Sequence, residues 1–177
     1  MITTEPNPYW GIVTGRAEEV WEAHCTPDAD ITSGMRVYLR HAEEFGLLQA
    51  THIAQICLLA VVHDDAPPAT RRPDGTVDID RLVPAADADA HTRNEAAEYL
   101  VTMVGLGFSQ ALEAAEQQIA ASAQVRATIQ TILDGALHGL PGRERALNAL
   151  WDLRDDERAL CGVLALTGAA LQAVRQP

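Results

Sequence analysis

The sequence predicts an all-α protein: a single-domain bundle of about six helices with one long surface loop. Three observations carry that prediction. Alanine and leucine supply most of a 47% apolar content while aromatics make up only 5%, and these two residues lose little entropy in a helix. The β-branched and aromatic residues that favour strands are correspondingly scarce. At 177 residues, one core suffices, because a chain of this length buries roughly 70% of its unfolded surface. The whole of 1–177 therefore reads as one helical domain.

Residues 1–14, with Pro6, Pro8 and Gly11, read as an irregular arm leading to a first helix over Gly15 to His24, with Trp10 and Trp21 as its largest apolar groups. Pro27, Asp28, Asp30 and Gly34 break the periodicity, and Thr32 or Ser33 can cap the next helix by accepting a hydrogen bond from a first-turn amide. Met35 to His63 is helical, as one bent helix or two helices meeting near Gly46. Ile53 to Val62 is apolar at nearly every position except Gln55, which assigns it to the centre of the bundle.

Residues 64–84 form the long loop. Pro67, Pro68, Pro73 and Pro84 remove backbone donors, and Pro73-Asp74-Gly75 has type I turn chemistry. Helix connections usually run about 2–8 residues, so this one is too long to be idle. Within it Val77 and Ile79 alternate with Asp78 and Asp80, as in a short extended piece that docks two side chains. A single helical turn from Ile79 to Val83, capped by Asp78, is the competing reading. Helix signal resumes near Asp87 and runs to about Ser122, then from Ala123 to Leu137. Pro141 suits a first-turn position at the start of Gly142 to Leu153, and Asp155 can cap a last helix ending at Val174.

Two stripes bear on packing. Gly107, Ala111 and Ala115 recur every four residues and make a smooth surface for a close helix crossing. Leu160, Leu164, Thr167, Leu171 and Val174 follow the four-three spacing of a two-helix seam. That stripe is either the core-facing side of the last helix or an oligomer interface formed by Leu160, Leu164, Leu171 and Val174.

Charge and residue usage exclude several functions. Every one of the thirteen basic residues is arginine, so there is no lysine for a Schiff base or a Walker-type phosphate loop. The net charge of −12 repels phosphate backbones and anionic lipid, which argues against nucleic acid and membrane surfaces as partners. A helix-turn-helix reading of Ala42 to Ile53 fails similarly, because Glu43 and Glu44 would face the phosphates. Cys25, Cys57 and Cys161 contain no C-x-x-C pair and read as buried thiols of a reducing compartment. No secretory signal is visible, and the nearly apolar run Cys161 to Ala173 is shorter than the ~20 residues of a membrane span. A cytoplasmic location is expected.

Among constellations with possible chemistry, His63-Asp64 ends the apolar helix. With His41 on one side and Asp134 further on, the set resembles the metal-binding step of the HD phosphohydrolases. The resemblance covers these four residues alone, and Asp65-Ala66-Pro67-Pro68 lacks the glycine-containing continuation of many such enzymes. It implies a divalent metal that activates water against a phosphorylated small molecule. Asp87, Asp89, His91, Glu95 and Glu98 form a second acidic group, read either as a ligand face or as a solvated first turn complementing the helix dipole. No Glu-x-x-His occurs, which excludes ferritin-like di-iron proteins. His24 and Cys25 are adjacent on a helix and point about 100° apart, and Ser109 sits in no nucleophile elbow.

The expected function is a non-catalytic cytoplasmic interaction or regulatory protein without a cofactor, partnered by protein, either itself as a homo-oligomer or a basic chain. Two alternatives accompany it: the HD-like metal-dependent hydrolase, and a sensor of a small apolar ligand held near Phe45, Met103 and Phe108.

Overall fold

The computed structural model describes residues 8–25, 37, 40–84, 122–135 and 137–175. Those residues are 80% helical with no strands, so the protein is all-α. Helix α1 spans Pro8–Cys25. It takes in residues 8–14, which the sequence places in an irregular arm; proline is tolerated at a helix start because its missing N–H would have no partner there. Ala17 and Val20 are buried, and Trp21 packs beside them.

Residues 40–45 form α2, and Gly46 separates them from α3, Leu47–Asp65. Of the two sequence readings, the pair of helices is the observed one. Gly46 has φ +89°, a left-handed conformation that L side chains rarely adopt. Its amide bonds Ala42 O at 2.8 Å while its carbonyl accepts from Ala50 N at 3.0 Å, so it closes one helix and opens the next.

Helix α3 is the centre of the described bundle. Ala50, Ile53, Ala54, Cys57, Leu58, Val61 and Val62 are all buried along it. It meets α1 and three later helices: α5 (Ser122–Gly135), α6 (Gly139–Trp151) and α7 (Glu157–Arg175). By length and composition α3 is also long and apolar enough to cross a membrane, although the sequence reading weighed only Cys161 to Ala173 for that; half of its apolar window is buried inside the protein, as in a core helix. On α7, Leu160, Val163, Leu164, Leu166, Ala170 and Leu171 complete the core. Its cap is Asp156, whose carboxylate accepts from Ala159 N at 3.0 Å, one residue after the Asp155 expected. Helix α6 begins at Gly139, so Pro141 lies inside its first turn, where its missing donor costs nothing.

After α3, Pro68–Thr70 make a 3-10 turn, Arg71 and Val77 form an isolated bridge, and Asp78 caps α4, Ile79–Leu82, by accepting from Asp80 N at 3.0 Å. Both sequence readings of this piece hold in part: Val77 and Ile79 dock into the core, and a capped turn comes next. Arg72 O accepts from Gly75 N at 2.9 Å across the Pro73-Asp74 turn. Side chains fasten the segment to the helices. Arg71 donates to Val62 O (3.0 Å), His63 O (2.9 Å) and Gly75 O (3.2 Å), which caps the carbonyl end of α3. Gln130 on α5 donates to Val77 O at 3.0 Å and accepts from Ile79 N at 3.0 Å, satisfying extended backbone as a neighbouring strand would.

Two close contacts set the geometry. Where α5 meets α6, a Cβ on Gly142 would lie 2.9 Å from Gly135 Cα and 2.9 Å from His138 Cβ. Backbone cannot step aside there. Between α3 and α7, buried Gln55 donates through Nε2 to buried Thr167 Oγ1, which donates to Val163 O at 2.6 Å. Gln55 Oε1 has no hydrogen-bond partner.

Gly142→Ala is expected to lower unfolding free energy by about 2 kcal/mol in urea titrations, from overpacking against backbone. A neutral result would mean the helices do not approach this closely. Thr167→Val should cost about 1–2 kcal/mol by stranding the buried Gln55 amide, whereas the double variant Gln55→Leu, Thr167→Val should recover most of the loss. Additive losses in that cycle would contradict the pairing.

Candidate functional site

The residues singled out from sequence do not form one site. His41 is fully buried on α2, with Nε2 at 3.0 Å from Glu19 Oε2 of α1. Glu19 also accepts from Arg16 at 2.8 Å and from Arg40, and Arg16 continues to Glu44 at 2.9 Å. The Arg16 guanidinium lies 5.6 Å from the centre of the Phe45 ring. His41 is thus one member of a charged clasp between α1 and α2. Burial pushes its pKa below the ordinary histidine value, while the Glu19 bond pulls the other way and loses. Burial pushes Glu19 up, but hydrogen bonds from His41 and Arg16, with the Arg16 and Arg40 charges, outweigh it and hold the carboxyl low. His41 Nδ1 is buried without a hydrogen-bond partner.

His63 and Asp64 are exposed at the end of α3. Asp134 accepts from Gln130 at 2.8 Å and lies 3.7 Å from Arg72. Among the described residues no three His, Cys, Asp or Glu side chains gather as a metal would require. The residues of the HD-like set, His41, His63, Asp64 and Asp134, are placed apart from a common site: His41 bonds Glu19, and Asp134 bonds Gln130 and faces Arg72. The adjacent residues of a His-Asp pair are compatible with many helix ends, and here that end is closed by Arg71.

Of the two readings of the last-helix stripe, its placement in the chain follows the core-facing one. Leu160, Leu164, Leu171 and Val174 are buried within the chain, against a core they share with α3, so they offer no accessible face. Cys57 and Cys161 are buried. Burial, then the Glu157 and Asp156 charges, push the Cys161 thiol up to about 12, where it is no nucleophile at neutral pH. Asp87, Asp89, His91, Glu95, Glu98, Met103, Gly107, Phe108, Ser109, Ala111 and Ala115 lie outside the described residues, as do Thr32 and Ser33.

What sequence reasoning missed is the outer side of α6. Its small residues face inward, Gly142 being buried against α5 and Ala146 packing on the core. At 100° per residue, Leu140, Leu147 and Trp151 fall within about 40° of one another on the opposite side. Leu140 is 72% exposed, Leu147 50% and Trp151 57%. Leu137, just before the helix, is also exposed. Trp151 is covered on one side by Arg154, whose guanidinium sits 5.0 Å from a ring centre. Beside this face, a cleft of about 340 Å³ separates α3 from α6, lined by Leu48, His52, Leu147, Leu150 and Trp151. Burial lowers the His52 pKa there. The missed signal is the seven-four spacing of Leu140, Leu147 and Trp151, masked by a second apolar set, Ala146, Leu150 and Leu153, on the same segment.

Comparison with protein-family models, with curated proteins and with solved structures finds no match for this chain.

The folded pKa of both His41 and His52 lies below the unfolded value of about 6.5, so their burial favours folding above that pH and loses its contribution as pH falls towards the folded values. Stability measured by urea should therefore drop between about pH 7 and pH 5. In His41→Gln, His52→Gln the drop over that window should shrink; an unchanged slope would assign it to other groups.

Proposed function

We propose that this chain is a non-catalytic helical interaction protein of the cytoplasm, one bundle of about six helices with residues 64–84 as its surface loop, acting through the outer side of α6. The observation that carries the reading is the alignment of Leu140, Leu147 and Trp151 on one exposed helix face. Single exposed leucines are ordinary on protein surfaces, but a row of large apolar groups on one helix is a contact patch. Hiding one such side chain fully is worth about 1.5–3 kcal/mol, and half or more of that remains unclaimed at each of the three.

The chemistry of the patch favours a protein partner. Tryptophan and leucine on a helix face are anchors for another helix or groove. A net charge of −12 disfavours phosphate backbones. Glu144 is exposed between Leu140 and Leu147, about 40° from Leu140 around the helix, so the row carries one carboxylate within it.

An apolar dye such as anilinonaphthalene sulfonate provides the test. The wild-type chain at high dilution should bind it, and Leu140→Glu, Leu147→Glu, Trp151→Glu should not, with helical content and thermal midpoint unchanged. Absence of dye binding by the wild type, joined to marked destabilisation of the variant, would mean that the chain covers this face itself.

A further inference from the structure

We infer that the contact between α1 and α2 is an acid-released latch, with the His41 imidazole as its catch and Gly46 as its pivot. Glu19 lies between two guanidinium groups, so its ionised carboxylate can only accept, and His41 Nε2 at 3.0 Å carries the proton donated to it. Nδ1 of the same ring is then a bare lone pair, buried and without a hydrogen-bond partner. Charge at the contact balances in that state: Arg16 on α1 and Arg40 on α2 face Glu19 on α1 and Glu44 on α2. A second proton can go only onto Nδ1. It adds a positive charge that the balanced set does not offset, and an N–H without an acceptor, to a fully buried ring. Burial acts against that charged form more strongly than the bond to Glu19 supports it. Glu18, Glu22 and Glu43 are exposed, where water screens them from the ring. On α3 the titratable residue of the first two turns is His52, which lines the cleft towards α6.

The fold lets α2 yield where α1 cannot. Helix α1 is held against α3 and α7, with Ala17 and Val20 buried. Of residues 40–45 only His41 and Ala42 are buried, and Phe45 packs partly against the core. Gly46 breaks the helix between α2 and α3 at φ +89°, and a Cβ there would meet nothing within 4 Å, so the backbone can turn at this point without displacing a neighbour. A short helix with so few buried groups opens at lower free energy than the core. Once released, the imidazole regains its ordinary value of about 6.5, whereas the latched ring lies below it. The latch is therefore tightest above about pH 7 and loosens as pH falls towards the latched value. Uptake of one proton on opening makes the open state about tenfold more populated at pH 5.5 than at pH 7.5.

Amide hydrogen exchange of the full chain, corrected for the intrinsic rate at each pH, reads the opening directly. Protection of residues 44–46 should fall about five- to tenfold from pH 7.5 to pH 5.5 and stay unchanged in urea well below the unfolding transition, the mark of a local event. Residues 53–62 should be better protected and sensitive to the same urea. His41→Gln, whose amide can still donate to Glu19, should abolish the pH response of residues 44–46, and His52→Gln should leave it intact. Nitrogen chemical shifts of the wild-type His41 ring report the tautomer whether or not a variant folds, and should show a single proton, on Nε2, at pH 7.5. A proton on Nδ1 at that pH, protection of residues 44–46 that ignores pH, equal loss of protection in residues 44–46 and 53–62, or a pH response that persists in His41→Gln each overturns the inference.

Discussion

A helix that is apolar on almost every side has to be enclosed, and the need to enclose α3 organises the rest of this protein. Nine of its nineteen residues are buried, and at 100° per residue they cover an arc of about 200° around its axis. An amphipathic helix is content against one neighbour; this one takes α1, α5, α6 and α7. Among the described residues the enclosure buries two polar side chains of α3, Thr51, which bonds back to Leu47 O at 2.8 Å, and Gln55, which finds Thr167 on α7. Hydrophobic packing alone tolerates sliding by a turn, since leucine resembles leucine. A buried amide with a single available hydroxyl does not, because slipping α7 along α3 would strand the Gln55 amide at a cost of about 1–3 kcal/mol, while Thr167 keeps its bond to Val163 O.

Exclusive use of arginine has a structural consequence in the segment after α3. Backbone there lacks the partners that helix or sheet would provide, and guanidinium groups supply them. Arg71 spans three carbonyls, Arg126 joins Asp80 to Val83 O at 2.8 and 3.0 Å, and Arg81 reaches Arg71 O at 3.2 Å. A planar fork with five donors can hold several acceptors at fixed angles, which a lysine ammonium on a flexible stem does less well. These arginines thereby commit their hydrogen bonds to architecture. Arg72 likewise turns to Asp78, at 3.2 Å, and to Asp134 rather than presenting itself to a phosphate.

The helical class, the break at Gly46, the burial of most of residues 53–62, the Pro73-Asp74-Gly75 turn and the Asp78 cap are all legible in the sequence. Each depends on local chemistry, whether residue propensity, a dihedral only glycine adopts readily, or a side chain bonding two residues ahead. Other features depend on what lies across from a residue, which one sequence does not state. His41 is an ordinary polar residue until α1 brings Glu19 to it. The His63-Asp64 pair suggests a metal because both side chains can ligate, yet convergence is a property of tertiary placement. The Leu160 to Val174 stripe has the same spacing whether it meets another chain or α3. Only the enclosure of α3 decides in favour of the latter.

Helix α6 inverts the usual arrangement, with small residues inward and large ones outward. Close approach to α5 forces the inner side: Gly135 and Gly142 bring two backbones into contact, and no large side chain fits between them. The apolar bulk of the helix must then sit elsewhere, at its end near Leu150 and on the outside at Leu140, Leu147 and Trp151. A protein selected only for a stable isolated fold gains nothing from that outer row, since polar residues there would serve solubility better. Steric demand on the inner side explains why glycine and alanine are there, but it places no demand on the outer one. The outer row therefore needs a separate cause, and the proposed contact with a protein partner supplies one.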